Sequence, residues 1–435
     1  MQIIESKPYN YVYLTFAKQR WLGKKYIDIL SIEFKDFNRA YFEQAFITGQ
    51  VQILRQDKFL YHDSLIAKDS DIIIHFTHRH EAPIFDLPKV CKTQITIPNT
   101  DQQIDVCYKP SGMPVHPASH YNKHSLINLV KFQSCNRLDR LVSGYLLGSS
   151  DIKQLPVISK LIQDRDVLKL YVADIMNENA LSGFYLVYAP IAENAQTEEE
   201  AVQRTTSLDS IPAVYGQIDS IGYLKLSSHD EFDLIYQQLK NGQQVGNVQH
   251  AISLIQIENE KAFCYPLTGR THQLRIHLKF LNCSIIDDPL YGGKFEIIQQ
   301  ELVGIQHSEV EDKIDKYVLK QQLIKSLKEL KAMRFKNIDE ICKDLELNDG
   351  FHCVTCQMLE EEDKCKEEEK LTVDSKGIIK INNPWKYSQK YLRLHNFYYG
   401  IKNNGEFVGQ QPAWNDSCNY SDSIANFKRI VWGSE

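Results

Sequence analysis

Apolar residues at Ile27, Leu30 and Phe34, and again at Tyr41, Phe42, Ala45 and Phe46, recur at helical spacing, so the stretch from Arg20 predicts two consecutive helices. Gly49 stops the second of them, and the alternating Val51 and Ile53 open a run of short strands that reaches about Ile74. His78 to Pro83 (HRHEAP) reads as an extended linker, because two histidines at i, i+2 before a proline suit neither a helix nor a compact ligand set. From about Val90 the period becomes two, at Ile95 and Ile97 and then Ile104 and Val106, and KPSGMPVHP is a loop punctuated by Pro and Gly. A short helix is predicted over Ser125 to Val130, a strand in GYLLGSS, a helix in LPVISKLIQDRD and a strand in VLKLYVADIM. Asn247 to Tyr265 alternates again as strands. In GRTHQLRIHLKFL the residues Leu274, Ile276 and Leu278 alternate while Leu281 lies a helical turn on, so a strand feeding a helix fits as well as either alone.

Composition narrows the class without naming a function. The 435 residues suggest two to three domains, and 43% hydrophobic with 24% charged residues are globular values. No apolar run is long enough to span a bilayer, and the first residues lack a signal or transit pattern, so no membrane association and a cytoplasmic or nuclear location are expected. Net charge is −6, which argues weakly against nucleic acid, but the run Glu360 to Lys370 holds seven acids against three lysines, so the rest of the chain is closer to neutral. Ten cysteines without regular spacing read as reduced thiols. Cys353 and Cys356 form the single CxxC, with Cys342, Cys365, His352 or His395 as conceivable further ligands, but no second finger-like pair exists and no metal is expected. P-loop, GxGxxG, HExxH and GxSxG patterns are absent, which removes nucleotide hydrolysis, dinucleotide redox and the common hydrolase mechanisms, and no cofactor is expected.

The chemistry-bearing stretch is NRLDRLVSGYLL, Asn136 to Leu147, where Asp139 sits between Arg137 and Arg140. Cations on both sides favour an ionised carboxylate. Such a group serves equally as a surface ion-pair partner at a turn, a metal ligand, a general base or a nucleophile, and spacing does not choose among them. Downstream, Arg270, His272, Gln273, Arg275 and His277 crowd into one segment and cannot all be buried without partners, so at least one of them should face a site.

These two stretches together resemble the RluA-type RNA pseudouridine synthases, in particular their eukaryotic branch. The family signature HRLDRxTSGLLL is matched at Arg137, Leu138, Asp139, Arg140, Ser143, Gly144, Leu146 and Leu147, with Asn136 for His, Val142 for Thr and Tyr145 for Leu. LTGRTHQLRIHLKFLNCSIIDDPLYGG, Leu267 to Gly293, resembles the second family motif, with Ser284 for Pro and Asp287 for Gly or Asn. KPSGMPVHP follows the family's DKPxGxPVHP, with Tyr108 for Asp; Lys169, Tyr171 and Ala173 take the K-x-Y-x-A places. The order of helices and strands up to Ile74 resembles an S4 RNA-binding module.

The resemblance implies an α+β protein with a small N-terminal S4-like domain at 1–80, a catalytic domain with a bent mixed, mostly antiparallel sheet at 86–293 and 387–435, and a helical, acidic insertion at 294–386. It implies an isomerase that turns uridine into pseudouridine, with Asp139 acting either as nucleophile at C1′ or as base at C2′. Tyr171 is then the ring that packs on the target base and Arg275 the partner that keeps the carboxylate charged. Arg137, Arg140, His116, Arg270 and His272 become RNA contacts, and Lys24, Lys25, Lys35 and Arg39 become phosphate contacts of the S4-like module. The implied partner is RNA, with a lean toward tRNA, and no obligatory protein partner is evident. A catalytically inactive RNA-binding protein of the same fold is the rival reading, and a zinc-stabilised RNA-binding module around Cys353 is a third. Within the insertion, Ile314, Val318, Leu323, Ile324, Leu327 and Leu330 form a helical stripe among basic residues, fitting either a solvated helix or an extra RNA contact.

Overall fold

The structure, a computed structural model, describes residues 8–34, 37–81, 91–96, 103–118, 121–164, 166–193, 222–239, 248–292, 316–329, 392–402, 406–410 and 420–433, with short pieces at 3–4, 84–85, 87, 204–205, 342 and 412. The two early helices form as the spacing predicts, α1 at Tyr26–Glu33 and α2 at Arg39–Ile47. Asn38 caps α2 by accepting the Tyr41 backbone N–H at 2.9 Å, which satisfies one of the donors a helix start leaves over. A strand the periodicity does not predict, β1 at Tyr9–Phe16, precedes them. It joins β2 (Val51–Arg55), β3 (Lys58–Leu60) and β4 (Ile72–Arg79) in a four-stranded antiparallel sheet of order β1-β4-β2-β3. One face of this sheet buries Ile53 and Ile73 against Tyr26, Phe42 and Phe46 of the helices. Its other face, with Val12, Ile74 and Phe76, is covered by Leu319, Leu323 and Leu327. HRHEAP is not wholly a linker: His78 and Arg79 end β4, and the strand runs into a buried Glu81.

The large sheet is mixed and mostly antiparallel. Its strands are β5 (Lys92–Thr96), β6 (Gln103–Lys109), β7 (Gln133–Ser134), β8 (Ser143–Ser149), β9 (Val167–Asp174), β10 (Gly183–Tyr188), β11 (Gly222–Leu226), β12 (Ile252–Glu258), β13 (Lys261–Pro266), β14 (Leu394–Ile401) and β15 (Glu406–Val408). The main order is β11-β10-β12-β13-β9-β14-β8-β6-β5, with β7 on β8 and β15 on β14. Among the described residues only the pair β8 and β14 is parallel; the other described pairs of this sheet are antiparallel. Strand β14, late in the chain, thus takes a central place in the sheet rather than an edge.

The helices predicted near the site also form, α3 at Leu126–Leu129 and α4 at Leu155–Gln163, whose first turn carries Pro156, where the missing N–H costs nothing. Further on lie α5 (His229–Leu239), α6 (Gln273–Phe280), α7 (Lys316–Glu329) and α8 (Tyr420–Trp432). The ambiguous GRTHQLRIHLKFL resolves as a loop into α6.

Alternation along β9 divides the sheet into two faces. Leu168, Leu170 and Val172 pack on one side with Phe263, Phe397 and Phe427, each apolar side chain contributing about 1.5–3 kcal/mol by its burial. Tyr171 and Ala173 face the other side with Leu138, Leu146, Leu274 and Leu394, and the cleft opens there. Gly144 makes the central pairing possible. At φ +127° it lies where side chains rarely go, and a Cβ there would stand 2.4 Å from the Asn396 carbonyl oxygen. No helix among the described residues is long and apolar enough to cross a membrane.

Candidate active site

Asp139 lies in the loop between β7 and β8. Leu138 and Val142 anchor that loop in the core, and the Val142 N–H donates to the Asp139 carbonyl at 3.1 Å, closing a turn. Asn136 fixes the loop's start: its side-chain oxygen accepts from the Leu147 N–H at 3.1 Å and its amide donates to the Tyr399 hydroxyl at 3.0 Å. From below, the KPSG segment cradles the loop. The Lys109 ammonium donates to the carbonyls of Pro110 and Met113 at 2.8 Å and of Arg140 at 3.1 Å, and the Ser111 hydroxyl donates to the Leu141 carbonyl at 2.6 Å. Burial pushes Lys109 down to about 7 while the Asp139 charge pulls it up, so this lysine is the loop's internal staple.

Asp139 is not held by the arginines beside it in sequence. Arg275 Nη1 stands 3.5 Å and His272 Nε2 3.6 Å from Asp139 Oδ2, whereas among the described residues neither Arg137 nor Arg140 is within ion-pair distance. Arg140 turns away, its Nη1 3.4 Å from the Tyr121 hydroxyl, and Arg137 stands exposed at the cleft rim. Arg275 itself is almost fully buried and is gripped by Asp288 through Nε at 2.8 Å and Nη2 at 2.7 Å. Burial works against its charge, and the Asp288 carboxylate more than offsets this, so the guanidinium is held protonated even more firmly than usual. Asp288 in turn accepts the Leu290 and Tyr291 N–H groups at 2.9 and 3.2 Å, and the Tyr291 hydroxyl meets His272 Nδ1 at 2.8 Å. Asp288 and Tyr291 stand in the motif that carries the resemblance, but spacing alone gave them no task.

The cleft, about 520 Å³, is lined by Asp139, Arg137, Tyr171, Arg270, His272 and Arg275 together with Lys169. Tyr171 has 7% of its surface exposed, and its hydroxyl is pushed up by burial and by the Asp139 charge. Arg270 donates through Nε to the His250 carbonyl at 2.8 Å, so part of its fork is spent inside the protein. Of the crowded polar segment, Gln273 and His277 are structural. Gln273 donates to Ile252 O and Ser253 Oγ at 2.8 and 2.9 Å; His277 bonds Ser253 Oγ and the Ala189 carbonyl at 3.0 and 2.9 Å. His116 is half-buried near Arg137 and outside the cleft lining, its imidazole pushed down by burial and by that guanidinium.

In the N-terminal unit Lys24 and Lys25 are exposed, while Arg39 is already paired with Asp28 at 2.7 Å and Glu43 at 3.1 Å. Lys35 lies outside the described residues, as do Cys353 and Cys356. No group of three or more potential metal ligands occurs among the described residues. The chemistry the cleft offers is that of one accessible carboxylate beside a fixed cation and an aromatic face.

A family model described as RNA pseudouridylate synthase matches residues 103–280. The tRNA pseudouridine(32) synthase, mitochondrial, of Saccharomyces cerevisiae is 30% identical over 66% of this chain and 54% of its own length. The tRNA pseudouridine(31) synthase of the same yeast is 28% identical over 90% of this chain and 95% of its own. The chain belongs to the eukaryotic RluA-type pseudouridine synthase family. It spans about half the length of the first of these relatives and nearly all of the second. A solved structure of Human RNA Pseudouridylate Synthase Domain Containing 4 is 18% identical, covering 77% of this chain and 92% of that one with a TM-score of 0.36. The expectation of a cytoplasmic or nuclear location gains nothing from the first relative, which is named as mitochondrial.

As an RluA-type chain it carries departures that compensate one another. Tyr108 and Tyr145, which replace Asp and Leu of the motifs, are register partners on β6 and β8 with ring centroids 5.3 Å apart. Asp287 adopts φ +62°, the left-handed region that explains Gly or Asn as the usual residue, and its carboxylate is 3.3 Å from Arg393 Nε.

Proposed function

We propose that this protein is an RNA pseudouridine synthase in which Asp139 carries the chemistry, Tyr171 receives the base and Arg275 pairs with the carboxylate. The observation that supports it most is the meeting of Asp139, Tyr171 and Arg275, distant in sequence, in one cleft with Asp139 still a quarter exposed. Uridine and pseudouridine are isomers, so the reaction needs neither redox nor energy input; it needs an ionised carboxylate at the ribose and a surface for the extruded base. Arg137 at the rim is suited to fill the stack that the base leaves. Retention of all three groups, with their supports, favours the enzyme over a binding protein of the same fold.

Two curated relatives carry tRNA positions 32 and 31 in their names, which supports tRNA, and uridines near those positions, as the substrate. An extruded loop nucleotide also costs less than one inside a duplex. The unit at 1–80 is proposed as an S4-like RNA-binding domain, on its helix-helix-strand order and exposed Lys24 and Lys25; its contribution is affinity through phosphate contacts. The catalytic domain is assigned to 86–293 and 387–435, joined through β14, with 294–386 as an insertion whose α7 covers the N-terminal sheet.

The test is Asp139→Asn, which keeps size and hydrogen bonding but removes the charge. On total tRNA from cells lacking the protein, this variant is expected to bind with affinity close to wild type and to form no pseudouridine in a single turnover. Retained turnover moves the chemistry elsewhere, and an inactive wild type favours the binding protein.

A further inference from the structure

One charged group in the cleft has no assigned task. Lys169 stands two residues before Tyr171 on β9, and period-two alternation puts both on the cleft face while Leu168 and Leu170 pack behind. Among the described residues no carboxylate, carbonyl or hydroxyl accepts a hydrogen bond from its ammonium, in contrast to Lys109, whose ammonium has three carbonyl partners. Burial alone pushes Lys169 down to about 8. An amine kept without a counter-charge in a half-dry cleft costs stability, and a structural role at that position is served as well by Met or Leu.

The reaction supplies an anion at this place. When the bond from N1 to C1′ breaks, its electron pair goes to the uracil, whose charge spreads over N1, O2 and O4, while C1′ is satisfied by an ester bond to Asp139 or by a double bond to C2′ formed as Asp139 takes the C2′ proton. The ring turns and C5 bonds to C1′ as that ester bond breaks or that proton returns to C2′; C5 then loses its proton and N1 takes one up, so composition and redox state are unchanged. Between cleavage and re-attachment the free base is anionic beside the Tyr171 ring.

We propose that Lys169 donates a hydrogen bond to a carbonyl oxygen of the detached uracil, stabilising its negative charge while the ring turns. The lysine keeps its proton throughout. Its contact strengthens as charge develops, so it acts on the rate and hardly on ground-state binding. The inference rests on the proposed isomerase reading.

Lys169→Met and Lys169→Arg, assayed on total tRNA from cells lacking the protein, separate the possibilities. Lys169→Met is expected to melt at or above the wild-type temperature, to bind within about twofold of wild type, and to isomerise roughly 100-fold more slowly in a single turnover. Lys169→Arg should recover part of that rate. Equal rates for Met and wild type overturn the proposal. So does weaker binding with a saturating rate unchanged and a salt dependence reduced by about one phosphate, which makes Lys169 a backbone contact. A wild type that forms no pseudouridine overturns the isomerase reading itself, whereas an active wild type with a fast Met variant overturns only the role of Lys169.

Discussion

Asp139 and Asp288 both reach the same guanidinium, and their difference divides chemistry from support. Asp288 is buried and bidentate; Asp139 is farther away and partly open to the cleft, so its oxygens stay available to a ribose. Arg275 is therefore aimed by one acid and serves the other. Asp288→Asn is expected to lose about 3–5 kcal/mol of stability, because it strands a buried charge, and to slow isomerisation although Asp139 is untouched. Urea denaturation together with single-turnover kinetics checks both parts; an unchanged rate would remove Asp288 from the positioning of Arg275. Arg275→Leu strands Asp288 in the same way, so its loss of activity is interpretable only beside a stability measurement.

At the scale of elements, the site depends on how closely β14 can approach β8. The backbone of Asn396 takes the space a side chain at Gly144 would fill, and that pairing sets the start of the strand that leaves the Asp139 loop. Gly144→Ala meets both a positive φ and a backbone clash, so it is expected to destabilise the fold by more than the ~1 kcal/mol of an average point substitution and to lower activity. A melting temperature within a degree of wild type would show that the sheet accommodates the methyl group. A second connection ties the two units together: the Glu81 carboxylate accepts from the Tyr9 hydroxyl and from the N–H groups of Asn122, Lys123 and His124 at 2.8–2.9 Å. These bonds fix the turn that carries Tyr121 and, through it, the side chain of Arg140. The same reasoning gives α7 its place, since Leu319, Leu323 and Leu327 cover a sheet face that is otherwise apolar.

For the whole molecule, three buried imidazoles govern the acid side of stability. Burial lowers His75 and His395 to about 3 and His277 to about 4. Below about 6.5 the unfolded chain takes up protons that the folded chain refuses until much lower pH, so this stability is complete above 6.5 and falls as pH falls. At pH 5 each histidine costs ~2 kcal/mol. Carboxylates held low in the fold, such as Asp71 and Glu81, lose their contribution only below their ordinary range, so the window between pH 7 and 5 belongs to the histidines. A urea midpoint that stays level from pH 7 to pH 5 contradicts this account.

The sequence by itself determined what depends on near neighbours. Period two and period 3.6 located α1, α2, α3, α4 and most strands around the site, and the two motifs identified the family before any contact was known. Where near neighbours are ambiguous it did not decide: the alternating Leu274, Ile276 and Leu278 fit a strand until packing made them a helix. Of the groups around Asp139, the motif resemblance named Arg275, and tertiary structure decided the rest. Sequence adjacency suggested Arg137 and Arg140, but the turn at Asp139 sends those side chains elsewhere, and the carboxylate is approached by Arg275 from α6 and by His272 from its entry loop. Ion pairing depends on distance in space, and distance here is set by sheet order, which hydrophobic periodicity does not encode.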